Sequence, residues 1–331
     1  MLPQSMHCFL VDKRDNQVTA GVTTRPTADL PAGDVTIRVQ YSSLNYKDAL
    51  AAQGHPGVAP NLPHVPGIDA VGKVVESSDS RFVPGQVVLA TSYEIGATRW
   101  GAYAEFLRVP GDWAIALPRG LSPRESMILG TAGLTAAMCV EALQERGVAP
   151  AAGEVLVTGA SGGVGTLAVS ILAQLGYDVV AVSGKPAARD LLTRLGARRI
   201  LSREDVLDTS TRPLLKSNWA AAVDTVGGVT LATIVRSLEP GGVATACGLV
   251  SGAELPLTVY PFILRGAQLV GIDSATYPRD KRIALWNKLA SVWKPRLLDQ
   301  LADEVSLEQL PEKIAAILAG QIIGRVLVRI D

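Results

Sequence analysis

The sequence is poor in the residues that build metal and disulfide sites, with three cysteines and three histidines in 331 residues. Cys8, Cys139 and Cys247 stand far apart and are odd in number, so local spacing offers neither a disulfide framework nor a C-x-x-C metal site. A reducing compartment follows. A catalytic zinc needs about three N, S or carboxylate ligands, and none of His7, His55 and His64 lies at helical or loop spacing from a cysteine. No metal is expected, and His64, just before the Pro66-Gly67 turn, reads as a structural histidine. Neither sign of charge is in excess: Lys+Arg and Asp+Glu both number 31, and no basic run offers a nucleic-acid footprint or a membrane anchor. The segment Met1–Asn16 lacks a cationic stretch followed by an apolar core, which argues against a signal peptide. The uncharged stretch Val155–Tyr177 carries five glycines besides Ser161, Ser170 and Gln174. The apolar helix within it is too short for about 30 Å of hydrocarbon. A cytoplasmic protein acting on a small soluble molecule is expected, with no nucleic-acid or membrane partner.

What the chain has in quantity is glycine, and the glycines of Glu154–Ala168 carry the most information. The β-branched run Val155–Thr158 leads into Gly159-Ala160-Ser161-Gly162-Gly163-Val164-Gly165 and then an apolar helical pattern. Strand, tight turn and helix in that order aim backbone N–H groups at a pyrophosphate. Gly163 to Ala168 reads as G-x-G-x-x-A, with Gly163 for the turn, Gly165 for approach to phosphate and Ala168 for close helix packing. The next strand, Tyr177–Val182, ends in Ser183-Gly184-Lys185 where an NAD-specific protein would carry an acidic residue for the ribose 2′-hydroxyl. A hydroxyl and an ammonium there suit a 2′-phosphate, so NADPH is the expected cofactor.

At this length two domains are expected. From about Met6 to Leu121, short alternating strands such as Val35–Tyr41 are broken by Pro66-Gly67, Pro84-Gly85 and Pro110-Gly111, the pattern of an antiparallel β domain. Ser122-Pro123-Arg124-Glu125 then supplies an N-cap, a first-turn proline and a capping-box glutamate for a long helix toward Ala142. Beyond it strands and helices alternate as far as Asp273, which demands a doubly wound parallel sheet of the Rossmann kind. The tail from Ser274 holds helical patterns at Arg282–Trp293 and Leu310–Leu318 and a closing strand, Gly324–Ile330. A short-chain reductase pairing of Tyr277 with Lys281 is rejected. It needs both on one continuous helix, and Pro278 is tolerable only in the first turn.

Five motifs in register now give a resemblance over essentially the full length: Ser42–Leu50 (SSLNYKDAL), Pro66–Asp69 (PGID), Gly130–Ala136 (GTAGLTA), Gly159–Gly165 and Pro261–Arg265 (PFILR). The chain resembles the medium-chain dehydrogenase/reductase superfamily and, within it, the acrylyl-CoA reductase family, long labelled YhdH-type quinone oxidoreductases. The resemblance implies an α/β fold with a discontinuous GroES-like catalytic domain over 1–125 and 274–331 and a Rossmann NADPH-binding domain over 126–273. It further implies a cleft between them and a homodimer joined through the nucleotide domains. Zinc-dependent relatives carry a cysteine near Asn45–Asp48 and Gly-His-Glu where this chain has Gly67-Ile68-Asp69, so both ligands are missing.

The same resemblance implies cofactor contacts from Ser161, Gly162, Gly163 and Val164 to the pyrophosphate and from Ser183, Gly184, Lys185 and Arg203 to the 2′-phosphate. Leu249, Ile263, Ser274 and Gly320 would line the nicotinamide end, with core packing as the ordinary alternative for Leu249 and Ile263. Family members often carry Arg in place of Lys185, and lysine keeps the charge but loses the bidentate fork. Asn45, Tyr46 and Asp69 are the catalytic candidates. Asn45 offers an amide donor or an Asx-turn cap, Tyr46 a phenol that positions the cofactor or supplies a proton, or else an aromatic strand-end anchor, and Asp69 a carboxylate that orients the loop beneath the substrate or serves ordinary turn chemistry. Asp48 reads as a cap or a partner of Lys47, and Arg99, Arg279, Lys281 and Arg282 as solvated surface charges. Without zinc to polarise a carbonyl, hydride delivery to the β-carbon of an activated alkene is the expected chemistry. The expected substrate is acryloyl-CoA; a quinone, or NADPH binding without catalysis, is the alternative.

Overall fold

In the computed structural model, which describes residues 2–15 and 17–330, the alternating segment read at Val35–Tyr41 is a ten-residue strand, Val35–Leu44. Met1, Asn16 and Asp331, which end ranges used above, lie outside the described residues. The strand is buried along most of its length rather than at alternate positions, because apolar layers cover both faces. Val35, Ile37 and Val39 join one core with Val74, Val88 and Leu107, while Leu44 joins another with Phe9, Tyr103, Leu310 and Val328.

The chain divides into two units: Met1–Thr131 with Ser274–Ala290 and Leu298–Asp331, and Ala132–Asp273 with Ser291–Leu297. In the first, one sheet runs in the order Ala302–Val305, Arg325–Arg329, Val35–Leu44, Asp69–Ser77, Val87–Thr91, Ile115–Ala116, and Phe106–Val109 also pairs with Val35–Leu44. The C-terminal strand lies antiparallel beside Val35–Leu44, with Leu44 opposite Val326 and Ser43 opposite Leu327. The C-terminal strand thereby meets the corner that follows Leu44. The short helix Tyr46–Ala52 starts at that corner and packs against Leu310–Leu318. Sequence periodicity did not show Tyr46–Ala52 or Tyr260–Arg265, since two turns or fewer give no readable period.

The second unit holds a six-stranded parallel sheet in the order Arg199–Leu201, Asp178–Val182, Glu154–Val157, Trp219–Asp224, Leu238–Ala246, Gln268–Gly271. Numbered along the unit this is 3-2-1-4-5-6, the doubly wound order, whose direction reverses beside Glu154–Val157 and opens a ligand crevice at the carboxyl ends of the strands. Central strands buried on both faces need continuous apolar runs; Val155, Leu156 and Val157 are fully buried, as are Ala221, Ala222 and Val223.

Helix Pro123–Glu145 begins with the capping box read from sequence: Glu125 N–H donates to Ser122 Oγ at 3.2 Å and Ser122 N–H to Glu125 Oε2 at 2.8 Å. It is not one continuous helix. Gly130 adopts φ 51° and ψ −153° and breaks it. Among the described residues this helix, rather than Val155–Tyr177, is the one long and apolar enough to cross a membrane by length and composition, and 89% of its most apolar window is buried inside the protein. Pro278 is the N-cap of Arg279–Leu289, so Tyr277 stands outside the helix that carries Lys281.

Candidate active site

The glycine turn of the second unit differs in its division of labour from the sequence reading. Gly159, not Gly163, takes the left-handed turn at φ 55°, and a Cβ there would strike Thr225 Oγ1. Gly165, not Ala168, provides the close packing: its Cβ would meet Gly159 O and stand 2.6 Å from Ala160 Cα. Gly163 instead opens helix Gly163–Gln174, with Gly162 as an N-cap that has no side chain to satisfy the first-turn donors. Ser161, 5% exposed, Gly162, Gly163 and Val164 thus sit where a helix start receives phosphate. Asp224, unremarked in the sequence, braces the turn: Thr158 Oγ1 donates to Asp224 Oδ1 at 2.6 Å and Gly227 N–H to Oδ2 at 2.7 Å. Burial raises the Asp224 carboxyl above its ordinary range.

At the strand tip the structure brings Ser183, Gly184, Lys185 and Arg203 together. Lys185 N–H donates to Ser183 Oγ at 3.1 Å, and Arg203 lies across Gly184 so closely that a Cβ would be 2.6 Å from its Nε. Partial burial, and then the Arg203 charge, lower the Lys185 ammonium below its ordinary value. A partly desolvated ammonium beside a second cation is relieved by an anion. Leu249 and Ile263 are 66% and 72% exposed, so neither is a core residue. Leu249 lies on the wall of a cavity of about 520 Å³ at the carboxyl ends of Leu238–Ala246 and Gln268–Gly271, lined also by Cys247, Gly248, Ile272 and Asp273. Ser274 and Gly320 belong to the first unit, where Ser274 O accepts from Arg282 Nη2 at 2.8 Å and Gly320 has φ 67°.

In the first unit the catalytic candidates converge at the corner after Val35–Leu44. Asn45 is the N-cap of Tyr46–Ala52 and forms a capping box with Asp48: Asn45 N–H and Nδ2 donate to Asp48 Oδ2 at 2.8 and 3.1 Å. Gly67 and Ile68 N–H groups fill Asp48 Oδ1 at 3.1 and 2.8 Å. Asp48 is fully buried, and that burial, with the neighbouring Asp69 charge, raises its carboxyl to about 7 against these hydrogen bonds. Asp69 is equally buried. Its Oδ2 accepts from Asn45 Nδ2 at 2.8 Å and Ser43 Oγ at 2.6 Å, and its Oδ1 from Thr131 N–H at 2.9 Å and Thr131 Oγ1 at 2.6 Å. Asp69 therefore orients its neighbours and presents no oxygen to solvent, and the Asn45 amide is spent inside the protein. Tyr46, 42% exposed, is the candidate whose side chain is open to a ligand.

Arg325, missed in the sequence, completes this corner. It is 3% exposed and donates from Nη1 to Asn45 Oδ1 at 3.2 Å and Leu44 O at 3.3 Å. It also donates from Nη2 to Ser43 Oγ at 2.9 Å and from Nε to Ile128 O at 2.9 Å. Its guanidinium comes to 3.9 Å from Asp69. Arg329 has the same strand parity and is exposed, so alternation alone does not separate a buried arginine from a solvated one. The break at Gly130 belongs to the same cluster: a Cβ there would lie 2.5 Å from Asp69 Oδ2 and 2.8 Å from Ser43 Oγ. Arg282, read as a surface charge, is fully buried and stacks 4.2 Å from the Tyr93 ring while donating to Thr91 O at 3.0 Å. His64 is buried and pairs through its backbone with Val11.

Comparison with known proteins places these two units. Residues 31–119 match the alcohol dehydrogenase GroES-like domain and residues 163–291 the family described as zinc-binding dehydrogenase. The chain is 47% identical to the probable acrylyl-CoA reductase AcuI of Escherichia coli (strain K12), covering 98% of this chain and all of that one. It is 48% identical to the putative quinone oxidoreductase YhfP of Bacillus subtilis (strain 168), over 96% and 97% of the two chains. The crystal structure of the yhdH oxidoreductase from Salmonella enterica in complex with NADP superposes with a TM-score of 0.95 at 47% identity, over 98% and 100% of the two chains. That of Bacillus subtilis yhfP with NAD bound also gives 0.95, at 46% identity over 99% and 100%.

Proposed function

This chain belongs to the medium-chain dehydrogenase/reductase superfamily, in the branch of the acrylyl-CoA reductases and YhdH-type oxidoreductases, and from that membership we propose that it reduces acryloyl-CoA to propanoyl-CoA with NADPH. It is an NADPH-dependent oxidoreductase. The residues present suit NADPH: a glycine cradle that a Cβ would fill, an uncapped helix start, and the Lys185 and Arg203 cations over Gly184. NADPH held by these residues would supply a hydride for the β-carbon of the alkene, the α-carbon taking its proton from solvent.

The observation that carries the choice of an alkene is the donor set at the corner. Ile68 has no ligand atom, the Asn45 amide is bonded on both sides, and both Asp69 oxygens are filled by Ser43, Asn45 and Thr131. Those residues do not fit a catalytic zinc, which needs about three free N, S or carboxylate donors. A conjugate reduction needs only hydrogen-bond donors for the enolate that develops at the thioester carbonyl. Tyr46 is assigned to hold the cofactor and to offer its phenol beside it. Asn45 and Asp69 are positioning residues of the same corner.

A homodimer in the cytoplasm is part of this reading. It is supported by the exposed apolar side chains Val250, Val259, Ile263 and Leu264 of the nucleotide unit and by three free cysteines. Steady-state NADPH oxidation against acryloyl-CoA, a longer enoyl-CoA and a soluble quinone tests the substrate. The account expects the highest kcat/KM with acryloyl-CoA, and a preference for the quinone overturns it.

A further inference from the structure

We propose that Arg325 is a further positioning residue of the reducing site: from the C-terminal strand it grips the Asn45 amide opposite Asp69, and so fixes the start of Tyr46–Ala52 and the phenol of Tyr46. The inference rests on the reading above for the part Tyr46 plays, and on geometry for the rest. A guanidinium offers five N–H donors in a rigid fork. Here that fork spans three separate segments, reaching Ser43 and Asn45 on one, Ile128 just before the helix break on another, and Asp69 on a third.

The Asn45 side chain is consequently held from two directions. Its Nδ2 faces Asp69 and Asp48, and its Oδ1 faces Arg325. An amide fixed at both ends has one orientation, and the helix that it caps begins at the next residue, Tyr46. Arg325 is almost wholly buried and acts on Tyr46 through Asn45. Lysine at this position would keep the charge but, as a single point donor on a flexible stem, would not reach Asn45, Ser43 and Ile128 together.

The test compares Arg325→Lys, Asn45→Ala and the double variant with the parent protein. Three quantities are read: hydrogen exchange of the backbone, the NADPH dissociation constant from nicotinamide fluorescence, and kcat and KM with whichever acceptor the parent reduces. Misplacement of a reacting group by about 1 Å costs on the order of a hundredfold. Arg325→Lys is therefore expected to lower kcat about tenfold or more and to weaken NADPH binding through the displaced Tyr46 phenol, while leaving the acceptor KM within about twofold. Amide exchange is expected to speed over residues 45–52 and to stay unchanged over residues 159–174. In the double variant the lysine is expected to add no further loss to that of Asn45→Ala, because Arg325 acts through Asn45.

Unchanged exchange over 45–52 in Arg325→Lys, or losses that multiply in the double variant, would overturn the proposal. If the parent reduces none of the three acceptors, the functional reading fails while the exchange measurement still decides the part played by Arg325. Should Arg325→Lys not fold, Ser43→Ala serves in its place. It removes the partner of Nη2, and with it the hydrogen bond from Ser43 Oγ to Asp69, without changing charge, and faster exchange over residues 45–52 with a lower kcat is again expected.

Discussion

Asp48 and Lys185 are charged residues held away from their ordinary protonation balance, by causes that differ and with consequences that separate. Asp48 has a folded-state value near 7 against 3.8 for an ordinary aspartate, mainly because it is buried. Between those values the folded protein keeps a proton that the unfolded chain has released, so stability falls as pH rises. The stabilisation is complete below about pH 4 and is lost as pH passes through about 7, with a span of about 4 kcal/mol. Denaturant unfolding of the parent from pH 5 to pH 8 is expected to show this decline, and Asp48→Asn, which cannot titrate, to flatten it; an equal slope in both would contradict the assignment. Lys185 is half-buried beside Arg203, and burial and then that neighbouring charge lower its ammonium below the ordinary value. Lys185→Ala is expected to weaken NADPH binding by about tenfold or more, the worth of one charge-assisted hydrogen bond, with NADH binding within about twofold. Fluorescence titration with both nucleotides checks this, and equal losses would remove the 2′-phosphate from the account.

Two elements are built around glycines whose absent Cβ is the point. In the turn before Gly163–Gln174, Gly165 lets the helix lie against the backbone of Gly159. Gly165→Ala is expected to abolish measurable NADPH binding, checked by the same titration; retained binding would show that the turn adjusts. In Pro123–Glu145 the break at Gly130 frees Thr131 N–H to donate to Asp69. Gly130→Ala meets both a left-handed backbone and the Asp69 carboxylate, and is expected to cost about 3 kcal/mol in denaturant unfolding. A loss below about 1 kcal/mol would mean the cluster relaxes around a methyl group. The sequence announced the first glycine cluster and not the role of the second. Glycine after a strand and before an apolar helix has one common use, whereas Gly130 sits inside an apolar helical pattern whose partner Asp69 is brought to it by the sheet. For the same reason the tip Ser183-Gly184-Lys185 was legible, being contiguous, and Arg203 became legible only by resemblance.

On the scale of the whole molecule, order along the chain predicted the architecture well: short strands with Pro-Gly turns, then strand–helix alternation, then a returning tail. What the order did not give was that the final strand, Arg325–Arg329, pairs with Val35–Leu44 and delivers a buried cation to Asn45. Nothing local in the strand says which of its two arginines, on the same face, is buried, because the answer belongs to a segment 280 residues away. The functional claim follows from this assembly, one unit shaped for a dinucleotide phosphate chain and the other carrying an exposed phenol on a locked corner that lacks zinc donors. The most direct test is the fate of the hydride. Acryloyl-CoA is reduced with NADPH deuterated at nicotinamide C4, and the product thioester is examined by NMR. The account predicts one deuterium at the β-carbon of propanoyl-CoA and a solvent-derived proton at the α-carbon. Deuterium at the α-carbon, or NADPH consumption with no deuterium in the thioester, would contradict it.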